Sequence, residues 1–541
     1  MSWFVSERLG RFSSSFKSQR ANAFGKKIMK PSLFCVLLFL MLVSVSRAAE
    51  KPLNILIIYA DDLGFGDLQC YNPDSKIPTP NLNALASTGM KFTDGHSSSG
   101  ICSPSRYAML TGRYHWRKFH GIVGVFGDSA FSAERLTIPE MLKSKGYTTA
   151  AIGKWHLGWD WNAILKEGAT TRTQEGTSKN KKPRTFYGPE AFDWEKSIPD
   201  GPLAHGFDSY FGDTVINFPP YCWIENDKVV KAPDTIMDTS KWKPIKEGGW
   251  ECRPGPMCSD WDPYQNIPET TRRGVAYIKK QAHSKEPFFL YFAYPSPHAP
   301  IIPNDAFDGR SEAGPYGDFV CETDDSIGQL LQALDDSGQR ENTLIIFSAD
   351  NGPERYAYER SKKFDHWSSD PLRGLKRDIY DGGHRVPYII SWQGNVPEGS
   401  VCHQLVSQID VMATVASIVG CELPADQAED SHDLQPLITG AAKKSPRSAH
   451  IHNTRDREYA IRSGDWTLID TKNGYVSGRN TEWEAKYGYI PDDSKTGQLF
   501  HMKNDDGQRT NVINEHPGKA VQLKALLKHI REQGHSAPRL N

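Results

Sequence analysis

The sequence predicts an α/β fold: a large, mostly parallel central sheet sandwiched between helices, followed by a small C-terminal α+β subdomain. Three observations predict it. Short, continuous apolar runs recur along the chain, segments of helical period separate them, and the texture changes to paired strands after about Ser445. A strand buried on both faces has no polar side to show, so it reads as an unbroken apolar run.

Taken in order, the chain opens on a segment that ends in an apolar stretch from Leu33 to Val43, too short for a comfortable membrane span, then Ser46-Arg47-Ala48, a small-x-small cleavage pattern. Residues 1–48 therefore read as a signal-peptide region, with Met29 as an alternative start. The expectation is export to a bacterial periplasm or the extracellular space, with no stable membrane span after cleavage. Residues 49–444 form the expected catalytic α/β domain and 445–541 the C-terminal subdomain. Strands are expected at Asn54–Ala60, Thr148–Ile152, Pro287–Ala293, Thr343–Ser348 and Pro387–Trp392. Helices are expected at Thr79–Thr88, Ile138–Lys145, Thr270–Ala282, Thr323–Asp335 and Gln408–Val419. Strand pairs at Tyr459–Ile461 and Trp466–Ile469 and a helix at Ala520–Glu532 complete the tail. Trp159–Trp194 and Asn217–Trp261 read as irregular insertions.

Composition narrows the function. A net charge of −1 over 541 residues gives no basic face for nucleic acid. Of nine cysteines, Cys35 lies in the removable segment and Cys102 in the motif below, leaving an odd seven. Cys252/Cys258 and Cys402/Cys421 are the closest pairs, but spacing does not assign connectivity. Gly64-Phe65-Gly66 after the first strand invites a dinucleotide-binding reading. Gln69 takes the place of the third glycine, and Asp61-Asp62 would repel a pyrophosphate, so that reading is rejected. The basic run Lys179–Arg184 reads as a solvated loop or a glycan contact, and Trp159, Trp161, Tyr221, Trp223 and Trp367 as packing or ring-stacking residues.

Ligands of open parallel sheets gather at the carboxyl ends of strands. The first run ends in Asp61-Asp62 and the fourth in Asp350-Asn351, an all-oxygen set suited to a hard cation such as Ca²⁺ or Mg²⁺. The second run leads to Lys154 and His156, the third to His298, and Lys376 precedes the fifth. Lysine and histidine at one sheet edge supply positive charge for an oxyanion and a proton donor for a leaving group. Between the first two runs stands Cys102-Ser103-Pro104-Ser105-Arg106, continued by Leu110-Thr111-Gly112-Arg113. Pro104 suits the first position of a helix and Ser103 its cap, which would set Cys102 at a helix N-terminus that favours an anion.

This motif resembles the type I, formylglycine-dependent sulfatase signature, and the similarity extends from Pro52 to Trp392, nearest to the arylsulfatase A and N-acetylgalactosamine-6-sulfatase branch. The resemblance implies an alkaline-phosphatase-like sandwich and a sulfuric ester hydrolase acting on a sulfated glycan or small sulfate ester. It implies that a maturation enzyme converts Cys102 to formylglycine, whose hydrated aldehyde is the nucleophile. It also implies that Asp61, Asp62, Asp350 and Asn351 bind calcium together with residue 102, that Arg106 and Lys154 hold the diol, and that His156 deprotonates its second hydroxyl. His298 and Lys376 would contact sulfate and assist the leaving group. Two other readings stay open: a phosphonate monoester or phosphodiester hydrolase of the same superfamily, and a catalytically inactive sulfatase-like binding protein, against which no cage residue is missing.

Overall fold

The computed structural model describes residues 52–174, 183–490, 492 and 497–538. The expected signal region with Cys35, and Lys179–Lys182 of the basic run, lie outside the described residues.

The main sheet has ten strands: β1 (Asn54–Ala60), β2 (Met90–Phe92), β3 (Thr148–Gly153), β4 (Ser209–Gly212), β5 (Ile224–Glu225), β6 (Lys228–Val229), β7 (Phe288–Ala293), β8 (Thr343–Ala349), β9 (Tyr388–Ser391) and β10 (Ser400–Cys402). Their order is β10-β2-β9-β8-β1-β7-β3-β4-β5-β6, and the run from β8 to β4 is parallel throughout. All seven residues of β1 are buried. Ile55, Ile57 and Tyr59 enter the core on one face, and Leu56, Ile58 and Ala60 the core on the other. Burial on both faces is the physical reason these strands read as unbroken apolar runs.

The helices that position the site or its walls are α1 (Pro80–Ser87), α2 (Cys102–Thr111), α3 (Ile138–Lys143), α4 (Asn266–Gln281), α5 (Gly314–Asp336), α6 (Val411–Ile418) and α7 (Pro517–Glu532). A four-stranded antiparallel sheet, β11 (Ala449–Asn453), β12 (Tyr459–Ser463), β13 (Trp466–Ile469) and β14 (Gln498–His501), packs with α7 around an apolar cluster that also takes in Ala108, Tyr114, Trp116 and Ile409. Arg447 anchors this region, donating to both carboxylate oxygens of the fully buried Asp410 at 2.8 and 2.5 Å.

Two expectations need correction. The strand at Tyr388–Ser391 runs antiparallel to β8; an apolar run reports burial on both faces, not strand direction. Helix α5 begins at Gly314, well before the expected Thr323, because Asp318, Glu322 and Asp324 are buried acceptors for backbone N–H groups of neighbouring segments. All described cysteines are free thiols, and Cys258 Sγ donates to the Lys231 carbonyl at 3.2 Å. Gly64 has a packing reason instead of a phosphate-binding one: a Cβ there would lie 2.0 Å from the Ser368 carbonyl oxygen.

Candidate active site

Register places the site. Ala60 pairs with Ala349, so Asp61 and Asp350 leave adjacent parallel strands side by side. Ala293 of β7 pairs with Gly153, so Lys154 leaves β3 at the same edge, two strands from β1. The turn after β3 is tight: Gly153 has φ +98°, and a Cβ there would meet the Ala293 carbonyl oxygen at 2.0 Å. Backbone bonds from Asp61 to Ser296, Asp350 to Ala60 and Lys154 to Ala293 stitch the edge together at 2.8 to 3.0 Å.

Helix α2 aims its N-terminus at this edge. It starts at Cys102 itself, with Ile101 as the cap and no side-chain cap bond. The expectation of Pro104 at the first position and Ser103 as cap is therefore corrected by two residues. Proline is tolerated in the first turn because amides there have no intrahelical acceptor; Ser103 Oγ instead accepts from the Val123 amide at 3.1 Å. Cys102 is 3 % exposed, and burial pushes its thiol up while Lys154 and Lys376 pull it back.

Around it the acids and bases interlock. Arg106, fully buried, donates through Nε to Asp350 Oδ2 at 2.9 Å, with its Nη2 at 2.8 Å from the same oxygen. Lys154 Nζ pairs with Asp61. Lys376 Nζ lies 2.6 Å from Asp62 Oδ1, which also accepts from Asn351 Nδ2 at 2.7 Å. His298 Nε2 lies 3.8 Å from Asp62 Oδ2, and its Nδ1 donates to the Ala299 carbonyl. His156 donates through Nε2 to the Val123 carbonyl at 3.1 Å, leaving Nδ1 buried and unpartnered.

Electrostatics separate the carboxylates. Burial opposes ionisation of Asp61, but Lys154, His298 and Arg106 outweigh it and hold that carboxyl well below its usual range. Burial, then the Asp61 charge, pushes Asp350 up to about 7 against the pull of Arg106 and Lys154. His156 and His298 are both pushed down, chiefly by burial and then by Lys154 and Lys376 respectively.

The donor set fits a hard cation. Asp61 Oδ1, Asp62 Oδ2 and Asn351 Oδ1 are buried oxygens without a hydrogen-bond donor, a costly arrangement unless a cation faces them. Ligand atoms of Asp61, Cys102 and Asp350 lie within 4.8 Å of one another. The structure thus gathers all ten sequence-derived site residues: Asp61, Asp62, Cys102, Arg106, Lys154, His156, His298, Asp350, Asn351 and Lys376.

Cys102, His156, His298 and Lys376 open onto a cleft of ≈ 1350 Å³. Arg184, the end of the basic run and the first residue of the strand Arg184–Tyr187, lines it, as do Arg253 and Arg377, which sequence reasoning missed; Arg377 is paired with Glu354 at 2.7 Å. Of the proposed ring-stacking residues, Trp159, Trp161, Tyr221 and Trp367 are core residues with exposures of 1 to 4 %. They cannot stack on a ligand in the cleft.

An alkaline-phosphatase-like sheet with an acidic cage, fixed lysines and a helix N-terminus at one strand-end edge defines a class of hydrolases that cleave esters of tetrahedral oxyanions. The sulfatase family profile matches residues 53–421, and the chain belongs to that family, in its arylsulfatase A and N-acetylgalactosamine-6-sulfatase branch. It is a sulfatase. It is 30% identical to human arylsulfatase A over 505 residues, covering 91% of this chain and 89% of that one. It is 29% identical to N-acetylgalactosamine-6-O-sulfatase of Bacteroides thetaiotaomicron over 502 residues, covering 89% and 94%. A Bacteroides thetaiotaomicron structure titled for metabolism of multiple glycosaminoglycans superposes with TM-score 0.71 at 27% identity, covering 89% of this chain and 100% of that one.

Proposed function

We propose that this chain removes sulfate from a sulfated carbohydrate, using formylglycine made from Cys102 and a calcium ion held by Asp61, Asp62, Asp350, Asn351 and residue 102. The observation that carries this reading is the trio of buried, donor-free oxygens beside Cys102 at a helix N-terminus. Formylglycine at 102 would supply a hydrated aldehyde as a nucleophile that can release the sulfate it accepts, and the cation would supply Lewis-acid charge beside it.

The chain's own residues do the rest. Lys154 and Arg106 are fixed by Asp61 and Asp350, so their charge is oriented before substrate arrives. Lys376, held by Asp62, faces the cleft as an anion partner. With Nδ1 committed to Ala299, His298 turns Nε2 to the cleft, and once that atom is protonated beside the Asp62 carboxylate it can deliver the proton to the departing alcohol. With Nε2 committed to Val123, His156 keeps a neutral Nδ1 as the base. The substrate class follows from the relatives' names and from the open, mixed-charge cleft. The same reading takes 49–444 as the catalytic domain, 445–541 as a C-terminal subdomain, and the protein as exported after action of a maturation enzyme. Among the described residues no helix is long and apolar enough to cross a membrane.

Co-expression with a formylglycine-generating enzyme, peptide mass spectrometry at residue 102 and a panel of sulfated sugars, aryl sulfates and phosphate esters test the proposal. Turnover of sulfate esters by protein that carries an unmodified thiol would sink it, and preference for phosphodiesters would move it to the related hydrolases.

A further inference from the structure

A second cluster of ligating side chains lies apart from the acidic cage. His96, on a two-residue strand that pairs with Val406–Ser407, His384, after the turn Asp381–Gly383, and His450, on β11, are 0, 3 and 1 % exposed. Each offers a nitrogen within 4.8 Å of the others. Their ring centroids are 5.0, 5.1 and 6.1 Å apart. Rings radiating from one ion at a metal–nitrogen distance of about 2.0 Å would stand roughly 5 to 6 Å apart, centre to centre.

The outer hydrogen bonds decide which nitrogens face inward. His96 Nε2 lies 2.8 Å from Asp94 Oδ1, and Asp94 is also paired with Arg462 at 3.0 Å. A carboxylate can only accept, so His96 donates through Nε2. His384 Nε2 lies 3.2 Å from the Ile379 carbonyl and His450 Nε2 lies 3.1 Å from the Ser97 carbonyl. Both are obligate acceptors, so these rings also donate through Nε2. Three rings thus spend Nε2 on a carboxylate or a backbone carbonyl and turn Nδ1 to the cluster, where at His450 the Tyr114 hydroxyl also reaches it at 3.4 Å. This is the outer-shell pattern of metal-bound histidine. The inner consequence is visible at His96 and His384, whose Nδ1 atoms meet at 3.0 Å. Two nitrogens at that distance must share a proton or face a common cation, and two nitrogens on one tetrahedral ion stand roughly 3.3 Å apart.

We propose that His96, His384 and His450 form a buried structural site for a divalent transition cation, with zinc the fitting ion, separate from the acidic cage. An imidazole-only donor set suits zinc, copper or nickel and not calcium or magnesium. The site ties three segments: the loop that runs from His96 through Ser97–Ile101 into Cys102, the turn that follows Lys376, and the C-terminal sheet. It holds the entry to the nucleophile helix against β11. The Tyr114 hydroxyl, 3.4 Å from His450 Nδ1 and itself accepting from the Ile451 amide at 2.9 Å, borders the remaining position.

The test is metal analysis of the full chain expressed with added zinc and dialysed into metal-free buffer. Wild type should retain about one zinc per chain, and so should Asp350→Asn, whose lesion is confined to the acidic cage. His384→Gln and His450→Gln should each drop below about a tenth of an equivalent. X-ray absorption of the zinc-loaded wild type should show imidazole nitrogens at about 2.0 Å, and it decides the matter if either histidine variant does not fold. Folded wild type without a transition metal, variants that keep the full equivalent, or an oxygen- or sulfur-dominated shell would each overturn the proposal.

Discussion

Acid should loosen calcium through a single carboxyl, Asp350. Burial and the neighbouring Asp61 charge push that group up to about 7, against about 3.9 in an unfolded chain. A carboxylate ligand must be ionised to bind, so proton and cation compete for the same oxygen. At about pH 5.5 only roughly one Asp350 in thirty is ionised, so the calcium Kd should rise about 30-fold from about pH 8 to about pH 5.5, one decade per pH unit below 7. The stability of the stripped protein runs opposite to its calcium affinity. Its raised carboxyl binds more protons folded than unfolded between about pH 4 and 7, so stability falls as pH climbs through that window, by up to roughly 4 kcal/mol. Calcium offsets this, so the Tm gain on adding calcium should grow from acid to neutral pH. Calorimetric titration of chelator-stripped protein across this range reads the slope. Asp350→Asn keeps an oxygen but cannot take up the proton, and should flatten it. A wild-type Kd constant within about threefold, or an equal slope in Asp350→Asn, would refute the reasoning.

Three further outcomes are expected. His298→Gln should lower kcat by about 10²- to 10⁴-fold on sugar sulfates and far less on nitrophenyl sulfate, whose leaving group needs little protonation; equal losses on both would remove His298 from that role. His156→Ala should slow a later step, so that labelled sulfate stays with the protein after a single turnover; free release at the wild-type rate would argue against Nδ1 as the base. Arg447→Ala strands the buried Asp410 carboxylate and should cost about 3–5 kcal/mol in urea unfolding, whereas a loss under about 1 kcal/mol would show that the C-terminal sheet does not depend on this pair.

The elements that read clearly in the sequence are those whose burial is one-dimensional. Asn54–Ala60 and Thr343–Ala349 are apolar at nearly every position because both faces are covered, and the chemistry sits immediately after them. What the sequence does not display is pairing. Nothing local says that Ala60 meets Ala349, yet that register alone sets Asp61 beside Asp350. The strands Met90–Phe92 and, at the edge of the sheet, Ser400–Cys402 are too short to show a period. The first turns of α5 looked like a loop because their acids are polar; those acids are buried as acceptors, with Asp324 taking the Asn81 and Leu82 amides at the start of α1. Arg253 and Arg377 reach the cleft on irregular segments, where no spacing rule marks a residue as a ligand. The histidine site is hidden for the same reason, since its members come from positions 96, 384 and 450 and only the fold brings them together.

The charge pattern of the main site explains why its carboxylates do not defeat its purpose. Asp61, Asp62 and Asp350 would repel an anionic substrate if left alone. Each is matched by a buried cation in contact with it: Lys154 with Asp61, Lys376 with Asp62 and Arg106 with Asp350. The protein's own charges therefore cancel pair by pair, and the oxygens left over, on Asp61, Asp62 and Asn351, are lone pairs without donors. A divalent ion seated on them keeps its charge unneutralised by the surrounding set, in a buried place where little water screens it. On the proposed reading the carboxylates would fix the cation, the lysines and arginine fix the carboxylates, and the surplus positive charge would face the cleft onto which Cys102 opens. Replacing any one of the three cations should therefore act twice, by removing a charge near the substrate and by freeing a carboxylate to repel it.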